Sequence, residues 1–435
     1  MIRQYCVTLI AAIALAASKS ESAPTQSIFS AAGGNEGGRR TVLVDPTGRG
    51  DSTTIQGGIE MAPPGGRVKV LPGTYAEALV IGKGLTLEGV ARRRAAVIIA
   101  APGTPTVAVQ VTTSEPVTIR NVTVHSPGAN GIGGQGTLDL TIERVTVLAI
   151  KPTVAGNLIV VLNNLVPRGP PASLVVIDSH LDGAIAGPAS SPQTFGIRAG
   201  GDIDAWLVGN EIRRVGGACI FVSLRADLAG VTNADVVNND LDECYPTGRV
   251  ASIIVGPGIP LPSPRPPVTA RGTVNIIGNK IANTTQNTCR PISAISYEYF
   301  GGRIERNQIV GVVQGCATAT VRNLPAAIWV GTLYGGPGYP IARPVVRYND
   351  IAGNAQAGLR VAATQISAID ATCNWWGSAT GPSGAGPGTG DAVIVENGAA
   401  TPRFRPFATR PVARTDGQFE GEDARESGAC TGESD

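Results

Sequence analysis

The chain has 435 residues, enough for a large core, and a formal net charge of +2. Such a small charge gives no support to a polyanion-binding field over the whole molecule, so nucleic-acid binding is not indicated. The 57 glycines and 32 prolines, with aromatic residues at 4%, favour a chain that turns often around a narrow aliphatic interior.

The N-terminus has the features of an export signal. Arg3 precedes an apolar run from Cys6 to Ala17, and small residues continue to Ala23. The run is short for a membrane span. We therefore predict a signal peptide over residues 1–23, with a retained N-terminal anchor as the alternative, and a secreted or cell-surface protein with no membrane span in the mature chain. The Ser-, Ala- and Gly-rich residues 24–40 are predicted to be a linker.

The stretch from Ser52 to Gly89 predicts a capped solenoid end. A short amphipathic segment with Ile55, Ile59 and Ala62 on one face precedes two Pro-Gly turns and three strands. The first rung of a β-solenoid exposes apolar edges and unpaired backbone groups. A helix lying over that end protects it, as repeat architectures require.

The sequence pattern TIQ…APPGG.V.V.PGTY.E…LTL.G closely resembles the N-terminal segment of exported right-handed parallel β-helix proteins of the pectin-lyase-like superfamily. The resemblance implies an all-β fold, a single-stranded right-handed parallel β-helix over residues 41–400 with an N-terminal capping helix. It implies little about function, because lyases, hydrolases, esterases, adhesins and other surface proteins share the fold.

A repeated phrase, apolar-x-Asn-x-Ile/Leu, marks one corner of each predicted rung. Stacked rungs lie about 4.8 Å apart, so asparagines in one phase can hydrogen-bond up the stack as a ladder. Asparagine also tolerates the left-handed backbone of a sharp corner. The five predicted ladder residues are Asn210, Asn239, Asn279, Asn307 and Asn349, with looser copies of the phrase around Asn121 and before Leu181.

The repeat is irregular in length. The longer rungs contain the Pro-rich stretches Gly256 to Gly272 and Gly331 to Pro344, which cannot pair in a central strand. We expect them to leave the solenoid as loops, where repeat proteins usually place their binding functions.

A second phase defines the strand that precedes these loops. Its inward residues include Ile197, Ile220 and Ile328, so alternation turns each following residue outward. The prediction is an exposed column, here called the outer column, of Arg198, Phe221, Ile254, Ser296, Trp329 and Arg360. The corresponding face carries carbohydrate in the superfamily that the chain resembles, so the outer column resembles a ligand surface. The alternative is that the loops cover it and form a satellite core.

Catalytic candidates are weak. Asp240 and Asp242 bracket the inward Leu241 and share one outer face, which suits either a calcium ion or solvated corner residues. Arg213 lies one rung away and is a candidate base for β-elimination. No other cofactor and no other metal are predicted. The signature motifs of polygalacturonases and pectin methylesterases are absent, and His180 in the phrase Asp-Ser-His has the phase of a rung corner.

Removal of the signal leaves six cysteines, an even number that favours disulfides in an exported chain. Cys289 and Cys316 occupy nearly the same corner of adjacent rungs, and Cys219 and Cys244 lie on adjacent rungs at different phases. The pair Cys373–Cys430 follows by elimination. Buried free thiols are the alternative.

The C-terminal region contains the phrase CNWWGSATGPSG, which resembles the end of many exported β-helix repeat proteins. Trp375 and Trp376 are large enough to cover the last rung, and sugar stacking by one ring is the alternative. Residues 401–435 are predicted to be an extension ending in an acidic tail.

Two functions remain open from sequence. The first is a non-catalytic secreted or cell-surface protein that binds polysaccharide or another extracellular macromolecule along the outer column. The second is a polysaccharide lyase or glycoside hydrolase of the pectin-lyase-like superfamily. Glycosidases need clustered carboxylates, and Glu298 is the one acid near the outer column, which favours the first function. The oligomeric state is not encoded in any of these patterns.

Overall fold

The protein is a right-handed parallel β-helix in a computed structural model that describes residues 40–412 and Cys430 with short internal gaps. The gaps are residues 91–95, 104–105, 128–129, 152–154, 166–168, 186–193, 225–229, 246–250, 258–270, 287–292, 315–325, 333–340 and 355–356. Three long sheets of parallel strands run along the solenoid. Each strand pairs with the equivalent strand of the next rung, which confirms the predicted fold class.

The first sheet contains Thr41–Val44, Gly66–Val70, Leu85–Gly89, Pro116–Arg120, Asp139–Glu143, Ala172–Ile177, Ile203–Val208, Thr232–Val237, Val274–Ile277, Gly301–Glu305 and Arg343–Arg347. The second sheet contains Gly73–Tyr75, Val97–Ala100, Thr123–Ser126, Thr146–Ala149, His180–Asp182, Glu211–Val215, Asp240–Cys244, Lys280–Ala282, Gln308–Ile309 and Asp350–Ile351. The third sheet contains Leu79–Ile81, Val107–Val111, Asn130–Gln135, Gly156–Asn163, Thr194–Gly201, Ile220–Ser223, Ala251–Gly256, Ser293–Tyr297, Ala326–Val330, Leu359–Val361, Gly390–Val395 and Pro382–Gly384. A small pair joins Thr285–Gln286 to Val313–Gln314.

The predicted cap is present as helix α1, Ile55–Met61. Ile55, Ile59 and the following Ala62 are buried against the first rung. The Thr54 hydroxyl accepts from the Gly57 backbone N–H, and the Glu77 carboxylate accepts from the N–H groups of Ile55 and Gln56. The free N–H groups at the helix start are thereby satisfied, so the cap closes the solenoid without exposing its backbone.

The asparagine ladder is confirmed and is one residue longer than predicted. Each ladder Oδ1 accepts both the backbone N–H and the side-chain N–H of the asparagine one rung earlier, at 2.9–3.0 Å. The members are Asn210, Asn239, Asn279, Asn307, Asn349 and, from the phrase CNWWG, Asn374, and all are at most 1% exposed. Ser179 begins the row by donating its backbone N–H to Asn210.

The left-handed corner residue differs from the prediction. It is not the ladder asparagine but the residue before it, with φ between 49° and 68° at Asp178, Gly209, Asn238, Gly278, Arg306, Tyr348 and Cys373. The sharp turn is made by one residue, which leaves the asparagine free to point its amide into the stack. Asn121 is one such turn residue, so it lies outside the ladder.

Two of the three predicted disulfides are described, and both are confirmed. Cys219 and Cys244 are bonded with their Cα atoms 5.7 Å apart, and Cys373 and Cys430 with theirs 5.3 Å apart. The first bond joins the start of one third-sheet strand to the end of a second-sheet strand in the next rung. Cys289 and Cys316 lie outside the described residues, so their bond stays a prediction.

The C-terminal end is closed by Trp376, which is fully buried in the main core. Trp375 is half-buried and forms a single parallel bridge to Asp350. Residues after 400 also contact the last rungs, since Cys373 donates its N–H to Pro406 and Val412 donates to the Asp350 carboxylate. The cap function predicted for the tryptophan pair is therefore carried by Trp376.

Rung lengths vary as the sequence indicates. Successive ladder asparagines are separated by 29, 40, 28, 42 and 25 residues. Most of the two Pro-rich stretches, residues 258–270 and 333–340, lies outside the described residues. The described strands before them belong to the third sheet, and those after them belong to the first.

The predicted domain limits remain expectations. The signal peptide and the linker up to residue 39, and the acidic tail after residue 412 apart from Cys430, are outside the described residues. Within the part of the chain that is described, no helix has the length and hydrophobicity needed to cross a membrane.

Replacing Asn279 by alanine should destabilise the fold by about 1–3 kcal/mol, because its neighbours Asn239 and Asn307 lose buried partners. Thermal melts measure the loss. Asn275→Ala is the matched control, because Asn275 is half-buried outside the ladder, where it donates to Asp235 and accepts from the Arg303 N–H. Equal melting temperatures for the two variants would contradict a structural ladder.

Peptide mapping under non-reducing conditions should recover a Cys289–Cys316 peptide beside the two described pairs. The physical reason is that two cysteines at one corner of adjacent rungs are about 4.8 Å apart, within disulfide reach. Recovery of a Cys244–Cys289 peptide would refute this scheme.

Candidate functional site

The outer column exists in the predicted register. Strand pairing places Arg198 beside Phe221, and continues in order through Ile254, Ser296, Trp329 and Arg360. The flanking residues of each strand, such as Ile197 and Ala199, belong to the main core. The six side chains therefore lie on the outer face of the third sheet, one above the other.

The predicted exposure of the column is wrong for most of its members. Phe221, Ile254, Ser296 and Arg360 are 4–9% exposed, while Arg198 and Trp329 are half-buried. Phe221 and Ile254 are buried because they pack in a second apolar cluster outside the main core, with Phe195, Ala218 and Ala251. The satellite core that the sequence left open is thus real around Phe221, whereas the two half-buried members remain accessible at separate rungs.

Arg198 has an unusual environment. Its guanidinium carbon lies 5.3 Å from the ring centre of Phe221 and 5.8 Å from that of Phe195. The two rings are themselves 5.4 Å apart and tilted by 42°. Cation–π attraction of this kind is worth about 0.5–2 kcal/mol. The rings hold the guanidinium in place without neutralising its charge.

The charge of Arg198 is not matched by a described acid. Its Nε atom is buried without a hydrogen-bond partner, and no ion pair to another described residue is formed. Burial lowers the pKa of Arg198 below the usual value, although arginine remains protonated at any physiological pH. A cation that is removed from water and has an unbonded N–H donor lowers the stability of the fold unless an anion binds to it.

Arg360, at the other end of the column, is the opposite case. Its Nε donates to Oε1 of Glu396 at 2.8 Å, and the second oxygen of Glu396 accepts the Ala363 N–H. Arg360 is 4% exposed, so this ion pair is held largely away from water. The two arginines of the column therefore differ: Arg360 has an internal carboxylate, and Arg198 has none among the described residues.

Glu298 is a buried acid beside the column. It follows the strand Ser293–Tyr297, is 2% exposed, and its side chain contacts the position of Gly256 one rung earlier. A Cβ at Gly256 would lie 3.2 Å from the Glu298 Cβ and Oε1 atoms. The glycine thus provides the space that this carboxylate occupies.

The predicted catalytic residues come together on the outer face of the second sheet. Arg213 pairs in register with Asp242, and Asp240 with Glu211. Lys280 Nζ lies 3.3 Å from Asp240 Oδ2, and Asn283 donates to Asp242 at 2.7 Å. Both acids thus have protein partners. Among the described residues, no three His, Cys, Asp or Glu side chains form a group that would hold a metal ion. Calcium binding by Asp240 and Asp242 stays a prediction.

His180 joins that face, which sequence reasoning missed. The corner position belongs to Ser179, and His180 begins the strand and bonds Glu211 Oε2 at 2.9 Å through Nδ1. Glu211 also contacts the Arg213 guanidinium. Burial, then the charge of Arg213, lowers the pKa of His180 despite the nearby Asp182. In the sequence His180 precedes the inward Leu181 just as Asp240 precedes the inward Leu241. The repeat phase therefore already indicated that His180 begins a strand and faces outward.

No family model and no curated protein sequence matches the chain. Among solved structures, similar chains include the catalytic domain of a GH87 alpha-1,3-glucanase in complex with nigerose, at 12% identity and a TM-score of 0.43, covering 89% of this chain and 69% of that one. The PL6 family alginate lyase AlyGC has 10% identity and a TM-score of 0.38, with coverages of 88% and 55%. The A-module of the Azotobacter vinelandii mannuronan C-5 epimerase AlgE6 has 12% identity and a TM-score of 0.37, with coverages of 81% and 93%.

The contrast between the two arginines predicts unequal effects of their replacement on stability. Arg360→Met should lower the melting temperature clearly, because it leaves Glu396 without its partner, at a cost of about 1–3 kcal/mol. Arg198→Met should change stability by less than about 1 kcal/mol, because the lost cation–π contact is offset by removal of an unpaired buried donor. Thermal melts of both variants provide the comparison. A larger loss for Arg198→Met would mean that Arg198 is structural.

Proposed function

We propose that this protein is an exported binding protein for an acidic polysaccharide, which it holds against the outer face of the third sheet. The observation that carries the proposal is Arg198, a half-buried cation between two aromatic rings with no described counter-ion. A ligand carboxylate or sulfate would supply the missing negative charge, and planar guanidinium donors suit both groups.

A second contact on the same face supports an extended ligand. Trp329 is half-buried and lies four rung steps from Arg198, a separation of about 19 Å at the usual strand spacing. Indole rings combine a large apolar face with a polar edge, as ligand-contacting aromatics do. A polymer lying along the solenoid axis would reach both residues, whereas a single sugar would not.

The overall charge is consistent with local rather than general anion binding. A net charge of +2 over 435 residues cannot attract polyanions to the whole surface. Selectivity for acidic chains would then depend on a few placed groups, and Arg198 is the best-placed one on this face.

Export is the second part of the proposal. The two described disulfides suit an oxidising compartment, and the predicted signal peptide over residues 1–23 would take the chain there. An acidic extracellular polysaccharide is a ligand available in that location.

Catalysis is the second candidate, because Glu298 is a buried carboxylate beside the proposed ligand face. A carboxylate beside a ligand face is a candidate general acid or base. Most glycoside hydrolases need two carboxyl groups, however, and the six residues of the outer column contribute none. Binding is therefore the better-supported function.

The proposal predicts that Arg198→Met and Trp329→Ala each weaken binding to an acidic polysaccharide at least about tenfold while the fold is retained. Affinity electrophoresis against polygalacturonate, alginate and a neutral glucan measures this, with circular dichroism as the fold check. Arg67→Gln is the matched control, since Arg67 is a half-buried arginine on the first sheet near the N-terminal cap, away from the outer column. Wild-type affinity in Arg198→Met would contradict the acidic-ligand proposal. Retardation of the wild-type protein by the neutral glucan as strongly as by the acidic polysaccharides would contradict it as well.

The same incubations distinguish catalysis from binding. Ultraviolet absorbance of unsaturated products reports a lyase, and new reducing ends report either a lyase or a hydrolase. Product formation that disappears in Glu298→Gln would replace the binding function by the enzymatic one.

A further inference from the structure

We propose that a cleft at the C-terminal end of the solenoid is a second binding site, separate from the outer column, for a short acidic saccharide. This C-terminal cleft has a volume of about 360 Å³ and is lined by Arg347, Tyr348, Thr372, Cys373, Arg403, Arg405, Pro406 and Cys430. That volume is within the range of small-molecule sites and exceeds what a few ordered waters need.

The cleft is built where the first sheet ends. Arg347 closes the last regular strand, Arg343–Arg347, and the sheet continues through single bridges from Val345 to Asp370 and from Asp370 to Arg403. The chain then turns back, and the N–H of Cys373 donates to the Pro406 carbonyl. The disulfide between Cys373 and Cys430 forms part of the wall. The cleft walls are thus fixed by backbone pairing and a covalent bond rather than by one loose loop.

Asp370 organises two of the three arginines. Arg347 and Arg403 both donate to its Oδ2, the latter at 2.6 Å, and Thr372 donates its N–H and hydroxyl to Oδ1 at 3.1 and 2.7 Å. Burial disfavours the charged form of this carboxyl, but the bonds from Arg347, Thr372 and Arg403 together lower its pKa to about 2. Asp370 is therefore ionised and holds two guanidinium groups side by side.

The cleft keeps positive charge that Asp370 does not neutralise. The described lining contains three arginines and no acidic residue. Asp370 bonds Arg347 and Arg403, and Glu305 lies beside Arg347 in the sheet, but Arg405 is exposed with no described ion pair and the Nε of Arg347 is buried without a partner. Paired guanidinium groups suit the two oxygens of a carboxylate or sulfate. Tyr348 and Pro406 add apolar walls that a bare inorganic anion does not use. The combination of positive charge and apolar wall points to an acidic sugar.

Isothermal titration at low salt tests this site, with digalacturonate, maltose and inorganic sulfate as probes. We expect digalacturonate to bind and maltose not to bind. Arg405→Gln should weaken digalacturonate binding about tenfold, the usual effect of losing one charge-assisted hydrogen bond. Arg405 is exposed, so its replacement should not disturb the fold. Arg343→Gln is the matched control, because Arg343 is an exposed arginine at the other end of the strand that Arg347 closes, outside the cleft lining.

Three results would overturn the site. Equal digalacturonate binding by Arg405→Gln and wild type would show that the cleft does not hold the sugar. Inorganic sulfate that binds as tightly as digalacturonate would reduce the site to a general anion site. Loss of digalacturonate binding in Arg198→Met but not in Arg405→Gln would assign the sugar to the outer column and leave the cleft without a ligand. Failure of the outer column alone would leave the Arg405 result unchanged, so the two proposals are tested separately.

Discussion

The solenoid from Ser179 to Asn374 depends on how the chain turns from the first sheet to the second. At that corner one residue adopts a left-handed backbone, and the next places a buried polar side chain into the stack. A buried amide without partners would cost about 1–3 kcal/mol per group, so each of these corners must lie directly above the last. This requirement fixes the phase of the rungs that carry the ladder, and with it the alignment of their other columns.

The outer column shows what that alignment makes possible. Residues as distant in sequence as Arg198 and Arg360 are placed on one line because the corners below them coincide. Side chains on this line then acquire different chemistry from their immediate neighbours. Arg360 has a carboxylate partner and Arg198 has aromatic rings, so the same residue type serves structure at one end and offers binding capacity at the other.

The sequence predicted the features that repeat and missed those that occur once. The asparagine phase and the outer register both recur in several rungs, so their periodicity is visible without any structure. Burial of Phe221 and Ile254 depends on Phe195 and on the small residues Ala218 and Ala251. This combination occurs once, so it leaves no periodic pattern in the sequence. The left-handed residue was misplaced by one position because glycine, asparagine, arginine, tyrosine and cysteine all fill it. The pairing of Asp370 with two arginines from different segments had no sequence signal at all.

The hydrogen bonds between ladder asparagines all run in one direction. Each Oδ1 accepts from the N-terminal side, beginning with the Ser179 N–H, and each Nδ2 donates both to the next Oδ1 and back to a carbonyl of the preceding rung. The row finishes at Asn374, whose Nδ2 donates to the carbonyls of Val346 and Ala371. The amide dipoles therefore add along the axis, and the two ends of the row are chemically different. A duplicated rung carrying its own corner asparagine would add one complete link anywhere inside the row. The same rung placed beyond Asn374 would have to redirect the Nδ2 hydrogen that now bonds the Ala371 carbonyl, so lengthening from within disturbs fewer bonds than lengthening at the C-terminal end.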